Sequence, residues 1–368
     1  MKVLGKIIAF FILLILLIAL PVSILAYDIG RVVFDQVLVK GIITDIVTDS
    51  DLIPAALKWY SEQRAEQRYG AGEAIAWEDE PDIVDLLSMV SIDSWREIRA
   101  EALPDEILIE WISVAVDGTY EWIDSDERVP DVTLDLLAFK ERVNSEHGEN
   151  AIRVVYESLP PCTEDEIADF RSRLAASLPG EEVLYNLCQF PDPWASDQVS
   201  DYHNSLILVV ENIPDTFALT QELSRLEDTR GIGPELIKAQ LLLVRQSMRL
   251  APLIPVVLLV LILLFAIRSL KALGNWWGIP LTLDGALLLI LALIYPATLV
   301  GVLTIGPLSE IPPLVREEAL SASMILADAI LGPLMWQSII VFTLGLILIL
   351  VGAAVRPKPS VETVPAAE

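Results

Sequence analysis

Histidine and cysteine are nearly absent from this chain: each occurs twice in 368 residues. No His-Glu-x-x-His, no Cys-x-x-Cys and no clustered histidine is present, so a transition-metal centre lacks its ligands. His203 has Asp201 and Ser205 close in sequence, but a catalytic triad is assembled from distant segments, and His203 reads as a surface histidine. The Gly-Lys-Ser/Thr ending of a phosphate loop is missing. Gly231-Ile232-Gly233 before Pro234 reads as a turn ahead of a helix. Basic residues are also scarce, 25 Lys and Arg against 52 Asp and Glu, which gives a formal net charge of -27. That balance excludes the basic stripe of a nucleic-acid binder and docking on anionic headgroups.

Acids are plentiful, yet none of their clusters has a ligand pattern. Asp124-Ser125-Asp126-Glu127 resembles the start of a calcium loop, but the glycine at the sixth position and the correctly spaced glutamate are missing. Glu78-Asp79-Glu80 with Asp82 reads as a solvated loop. Abundance itself makes paired carboxylates uninformative. No catalytic residue, cofactor site or metal site is assigned.

The placement of the acids is the informative feature. Residues 28–248 hold 45 Asp and Glu and 17 Lys and Arg. Four apolar runs flank them, at 7–27, 249–270, 279–303 and 333–355, each near the ~20 residues that cross a bilayer as a helix. A cleaved signal peptide ending at Ala26 is the rival for the first run. Its long apolar core and Ile24 two residues earlier favour an uncleaved anchor. Lys2 and Lys6, Arg268 and Lys271, and Arg356 and Lys358 all fall on one side if every run spans. The positive-inside rule then puts both termini in the cytoplasm and residues 28–248 outside it. Trp276 and Trp277 would mark the inner interface and Trp336 the outer one. Asp284 is expected at the interface, capping the third span, with a transport role as an intramembrane acid as the alternative. Residues 304–332 are expected to form an outer loop with an amphipathic helix of their own: Ala319, Leu320, Met324, Ala327, Ile330 and Leu331 share one side. Residues 356–368 form a short, Pro-containing cytoplasmic tail, expected to be disordered.

The fold class is therefore mainly α: an integral membrane protein with four transmembrane helices and one large acidic extracytoplasmic helical domain. Within that domain, Asp51 precedes a helix running toward Arg68, and a polar break follows from Tyr69 to Asp82. Ser94–Leu103 is a short helix stopped by Pro104. Asp105–Ile123 is a longer one, with Leu108, Trp111, Ile112 and Ala115 on one face. Val132 to Leu136 alternates like a strand, though no partner strand is visible. Ala138–Leu159 returns to helix, broken near His147-Gly148. Thr163 and Glu166 make a capping box, followed by Ile167, Phe170, Leu174 and Leu178 as a buried stripe. A helix after Ser200 offers Leu206, Leu208 and Val210 to the core. Another, from Pro234, either runs on into the second span or bends at Pro252 and Pro255. Cys162 stands just before the capping box and Cys188 in the loop beyond. An oxidising compartment favours a bridge between them, and two buried free thiols are the alternative.

Pro160-Pro161-Cys162-Thr163, Leu187-Cys188-Gln189-Phe190-Pro191 and the run Leu134 to Arg142 resemble an uncharacterised family of bacterial four-span membrane proteins with a two-cysteine extracytoplasmic helical domain. The resemblance implies a cell-membrane location and pairing of Cys162 with Cys188, and no activity. The expected role is a non-catalytic binding or scaffolding domain, with the lipid bilayer and a protein partner or cationic ligand as its partners and no nucleic acid. A membrane enzyme or transporter with dispersed acidic residues is the alternative.

Overall fold

The computed structural model describes residues 2–69, 87–177, 187–220, 233–309 and 311–354. The chain divides into two compact units: Met1–Asp35, Ala239–Val302 and Met324–Glu368 form one, and Gln36–Lys238 with Leu303–Ser323 the other. We call them the spanning unit and the acid-rich unit.

Four helical stretches are long and apolar enough to cross a membrane: Gly5–Val33, Pro234–Ala266, Leu270–Ile305 and Pro313–Ala354. The chain is on this ground a multi-pass membrane protein. Helix α1 (Lys2–Val33) runs beyond residue 27, where the first span was expected to end. It carries Asp28 within it, and the acid-rich unit starts at Gln36. Ile18, Leu264 and Ile340 expose 70, 68 and 64% of their surface. Exposure of that kind along all the spans is costly in water and costless in lipid.

In lipid, helices associate through close packing rather than through hydrophobic force, which favours small residues. On α1, Ala9, Leu16 and Leu20 cluster with Ile262, Ala266 and Leu281. Ile262 and Ala266 belong to the second span, which is broken: α10 (Pro234–Leu250) ends in a turn at Ala251-Pro252 before α11 (Leu253–Ala266). The alternative with a bend is the one observed, because Pro252 has no amide to continue α10. The third stretch begins as α12 (Leu270–Leu273), passes through a π-helical turn (Gly274–Gly278) and continues as α13 (Ile279–Ile305).

The fourth span lies in α14 (Pro313–Ala354), 42 residues long. At 1.5 Å per residue it extends roughly 63 Å, about twice the bilayer core. The separate amphipathic helix expected in 304–332 is instead the first half of α14. Gly332-Pro333 does not interrupt it, since a proline withdraws one hydrogen bond from a ladder that its neighbours sustain. Glu317, Ser321 and Asp328 are nonetheless exposed on it, as the amphipathic pattern requires.

Among the described residues, the acid-rich unit is mainly helical, with one small ribbon. Its helices are α2 (Gln36–Asp49), α3 (Leu52–Tyr69), α4 (Ile92–Ala102), α5 (Asp105–Asp124), α6 (Leu137–Val143), α7 (Glu146–Glu157), α8 (Glu164–Ala176) and α9 (Trp194–Glu211). Polar caps set several starts. Ser91 accepts from Ser94 N ahead of α4, and Ser145 from His147 N ahead of α7. Ser145 places the break between α6 and α7 before His147, not at Gly148. The expected strand is β1 (Thr133–Asp135). Its partner, not visible in the sequence, is β2 (Thr216–Ala218), antiparallel with Leu134 opposite Phe217.

The main core joins α4, α7 and α9. Trp95, Ile152, Val155, Tyr156, Leu159 and Val199 are buried together with Val90 and Leu187. Gly148 is required where α7 begins: a Cβ there would lie 1.8 Å from the Val143 carbonyl oxygen. Leu208 and Leu174, expected inside, are 62 and 45% exposed, while Val210 and Phe170 are buried. One buried side chain is enough to seat each of these short helix faces.

Candidate functional site

Cys162 and Cys188 are disulfide-bonded, with Cα atoms 4.8 Å apart. The bridge sits in a small assembly of backbone hydrogen bonds and aromatic rings. Cys162 N donates to Gln189 O at 3.0 Å and Gln189 N to Pro160 O at 2.8 Å, forming an isolated parallel bridge between the two strands of chain. The capping box follows at once: Thr163 N donates to Glu166 Oε2 at 2.7 Å, and Glu166 N to Thr163 Oγ1 at 3.3 Å. Phe170, one turn on, meets Phe190 at 4.7 Å and Trp194 at 6.0 Å between ring centroids. Arg171 lies 5.1 Å from the Trp194 ring. The buried Tyr156 hydroxyl donates to Phe190 O at 2.9 Å, and Gln198 Nε2 to Cys188 O at 3.1 Å. Desolvation, together with the nearby charge of Asp192, pushes the Tyr156 phenol above its ordinary pKa. This region is a staple with an aromatic lining. Its polar groups face each other, which suits it to hold shape rather than to do chemistry.

The histidines are used in the same way. His147 Nδ1 pairs with Glu101 Oε2 at 2.7 Å, and His203 Nε2 with Val143 O at 2.8 Å. Ser205 Oγ donates to the backbone oxygen of Asp201, one helical turn back, so His203, Asp201 and Ser205 do not assemble a relay. In the Asp124–Glu127 segment a cation is already supplied by the chain. Lys238 Nζ donates to Ser125 O at 2.7 Å and Glu127 O at 2.9 Å and lies 5.6 Å from the Trp122 ring. Among the described residues, no group of three His, Cys, Asp or Glu could hold a metal ion. Glu78, Asp79, Glu80, Asp82, the Gly231-Ile232 turn and the tail from 356 lie outside the described residues.

Two ion-pair nodes organise the outer faces of the acid-rich unit. Lys40 Nζ and Gln36 Nε2, both on α2, reach Asp117 of α5 at 2.6 Å each. Arg96 Nε donates to Asp51 Oδ1 at 2.8 Å and its guanidinium also meets Asp93, while Asp51 N donates to Glu318 Oε2 at 3.1 Å. These hydrogen bonds hold the Asp117 and Asp51 carboxyls below the usual carboxylate range.

The burial of two carboxylates of the spanning unit was not legible in the sequence. Asp284 does not cap a helix at an interface. Helical backbone precedes it from Leu270 onward, and its side chain is 2% exposed with Oδ2 lacking a hydrogen-bond partner. Asp28 is 1% exposed and accepts a 2.7 Å hydrogen bond from Gln337 Nε2 of α14, its own Oδ2 lacking a partner. The available signal was the polar pair Gln337-Ser338 inside an otherwise apolar run, where a buried polar partner had to be waiting. Ser338 is fully buried and Ser23 of α1 nearly so. The spans are thus not free of buried acids, as the apolar runs suggested.

No family model, no curated protein and no solved structure matches this chain.

Proposed function

We propose that this protein is a cell-envelope membrane protein whose acid-rich unit lies outside the cytoplasm and serves as a non-catalytic binding or scaffolding module for a basic protein or a cationic ligand. Lys2, Lys6, Arg268, Lys271, Arg356 and Lys358 support the orientation, since together they favour the cytoplasmic side. The Cys162–Cys188 bridge supports it too, because disulfides persist in oxidising compartments.

One observation carries the reading of the module. Its carboxylates are spread over exposed positions on separate helices: Glu106, Glu110 and Glu121 of α5, Glu146 and Glu157 of α7, and Glu164, Asp165 and Asp169 of α8. A field made this way attracts a positive partner over a broad face and is screened by salt.

Affinity purification of the full chain from membranes, at low and at raised salt, tests the proposal. A basic partner that is retained at low salt and released at raised salt is the expected result. Replacing Glu106, Glu110 and Glu121 together by Gln should weaken its retention without unfolding the protein. Catalytic turnover abolished by one Asp or Glu substitution, with folding intact, would sink the non-enzymatic reading. Reporter fusions test the orientation separately: a C-terminal fusion active only outside the cytoplasm contradicts it.

A further inference from the structure

Among the described residues, the spanning unit buries a carboxylate with no counter-charge on the helices beside it. Asp284 lies one residue before Gly285, where α13 runs directly against α14: a Cβ at Gly285 would come 2.4 Å from Phe342 N. Its neighbours one turn away on the same face of α13, Leu281 and Leu288, are 5 and 0% exposed. The surrounding helices bring no base to it. No Asp, Glu, Lys, Arg or His occurs between Lys6 and Asp28 on α1, anywhere on α11, elsewhere on α13, or beyond Asp328 on α14. Tyr295 is the other titratable group of α13, and its hydroxyl is bonded to Asp328. Lys271, the base preceding Asp284 on its own helical stretch, is roughly 20 Å away along the helix axis, beyond ion-pair reach. Asp28, the other buried acid, has a donor in Gln337. A bare carboxylate in such surroundings must acquire a positive ligand.

We propose that Asp284 is a proton-binding site inside the membrane unit, loaded when α13 and α14 are closed on it and unloaded when they part. The seam accepts a proton and no larger cation. A hard metal ion needs several oxygen ligands in a cage. Leu281 and Leu288 on the same face offer none, and among the described residues no group of three His, Cys, Asp or Glu could hold a metal ion. A proton needs only the carboxyl oxygen itself. Its departure leaves a buried charge beside a seam packed at glycine distance, and the charge is relieved by opening that seam to water. Proton occupancy is thereby tied to the fit of α13 on α14.

Infrared difference spectroscopy on the full-length protein in lipid bilayers, with aspartate carboxyls labelled by carbon-13, tests this directly. The expected result near neutral pH is a protonated-carboxyl stretch that shifts with the label, is missing in Asp284→Asn and fades as pH rises. Amide hydrogen exchange of residues 278–288 should accelerate over the same pH range in the wild type beyond the acceleration in Asp284→Asn. The proposal is overturned if no such stretch exists at any pH where the protein is folded. Displacement of the stretch by sodium at constant pH overturns it in favour of a sodium site. Identical exchange in the two proteins overturns the link to the seam. Should Asp284→Asn fail to fold, Asp28→Asn decides the assignment: the stretch must persist there, and its loss would move the site to Asp28 and overturn the proposal.

Discussion

In the acid-rich unit the carboxylates of the two ion-pair nodes meet partners across short gaps: Asp117 has Lys40 and Gln36, and Asp51 has Arg96. In the spanning unit the buried acids Asp28 and Asp284 each keep an oxygen without a partner, and the helices meet through glycine. Cβ atoms at Gly278, Gly285 and Gly345 would all fall within 3 Å of another group across the seam between the third and fourth spans. The difference follows from the solvent. A water-facing helix gains stability by burying an apolar face, so it can place charges freely on the other side. A lipid-facing helix gains nothing from burial alone and must approach its neighbour closely. A polar group trapped in such an approach is conspicuous, and in a membrane helix it points to function.

Three measurements sharpen this contrast. The largest effect is expected in the acid-rich unit. Replacing Cys162 and Cys188 by Ser frees a loop with a sequence separation of 26 residues, and the loop-closure estimate puts the loss at about 3 kcal/mol. Chemical denaturation followed by proteolysis of the acid-rich unit should show it, and an unchanged midpoint would mean that the Phe170, Phe190 and Trp194 assembly holds the region without the bridge.

The next effect belongs to the spanning unit. Gly285→Ala adds one methyl group 2.4 Å from a backbone nitrogen, which cannot move aside as a side chain would. Overpacking of this kind costs about 1–3 kcal/mol. Unfolding in mixed detergent micelles should report it, with Gly301→Ala as the control, since nothing lies within 4 Å of a Cβ there. Equal effects of the two substitutions would remove the seam from the argument.

The smallest effect concerns the exposed ion pairs. The Asp117 carboxyl is held below its unfolded value, so the Lys40 and Gln36 contacts contribute stability that is fully present above about pH 4 and is lost as pH falls through the lower, folded value. Asp117 is about half exposed, which limits the contribution to about 0.5 kcal/mol. Melting curves in acid should show Asp117→Asn losing less stability than the wild type over that window, and raised salt should shrink the gap. A gap that is equal at all pH values would assign the effect to packing.

Local rules made much of this fold legible. The Thr163–Glu166 capping box is present atom for atom, because the backbone donors at a helix start must be satisfied within a few residues. The start of α5 at Asp105 follows from Pro104. The long-range choices were not legible. β1 needed a partner more than 80 residues away, and Thr216–Ala218 is too short to announce itself. The helix after Ser200 offered Leu206, Leu208 and Val210 to the core, yet the core formed with α4 and α7 took Val199 and left Leu208 outside.

By itself the sequence determined four membrane-crossing stretches, a helical acid-rich segment and a cysteine pair fit to bridge, because each depends on local composition, capping or a short loop. Tertiary structure alone decided that Asp284 is sealed between helices, that Asp28 meets Gln337 and that Lys238 fills the acidic turn after α5. Burial is a property of what comes to lie alongside, and a carboxylate at the edge of an apolar run looks the same in sequence whether water or another helix covers it.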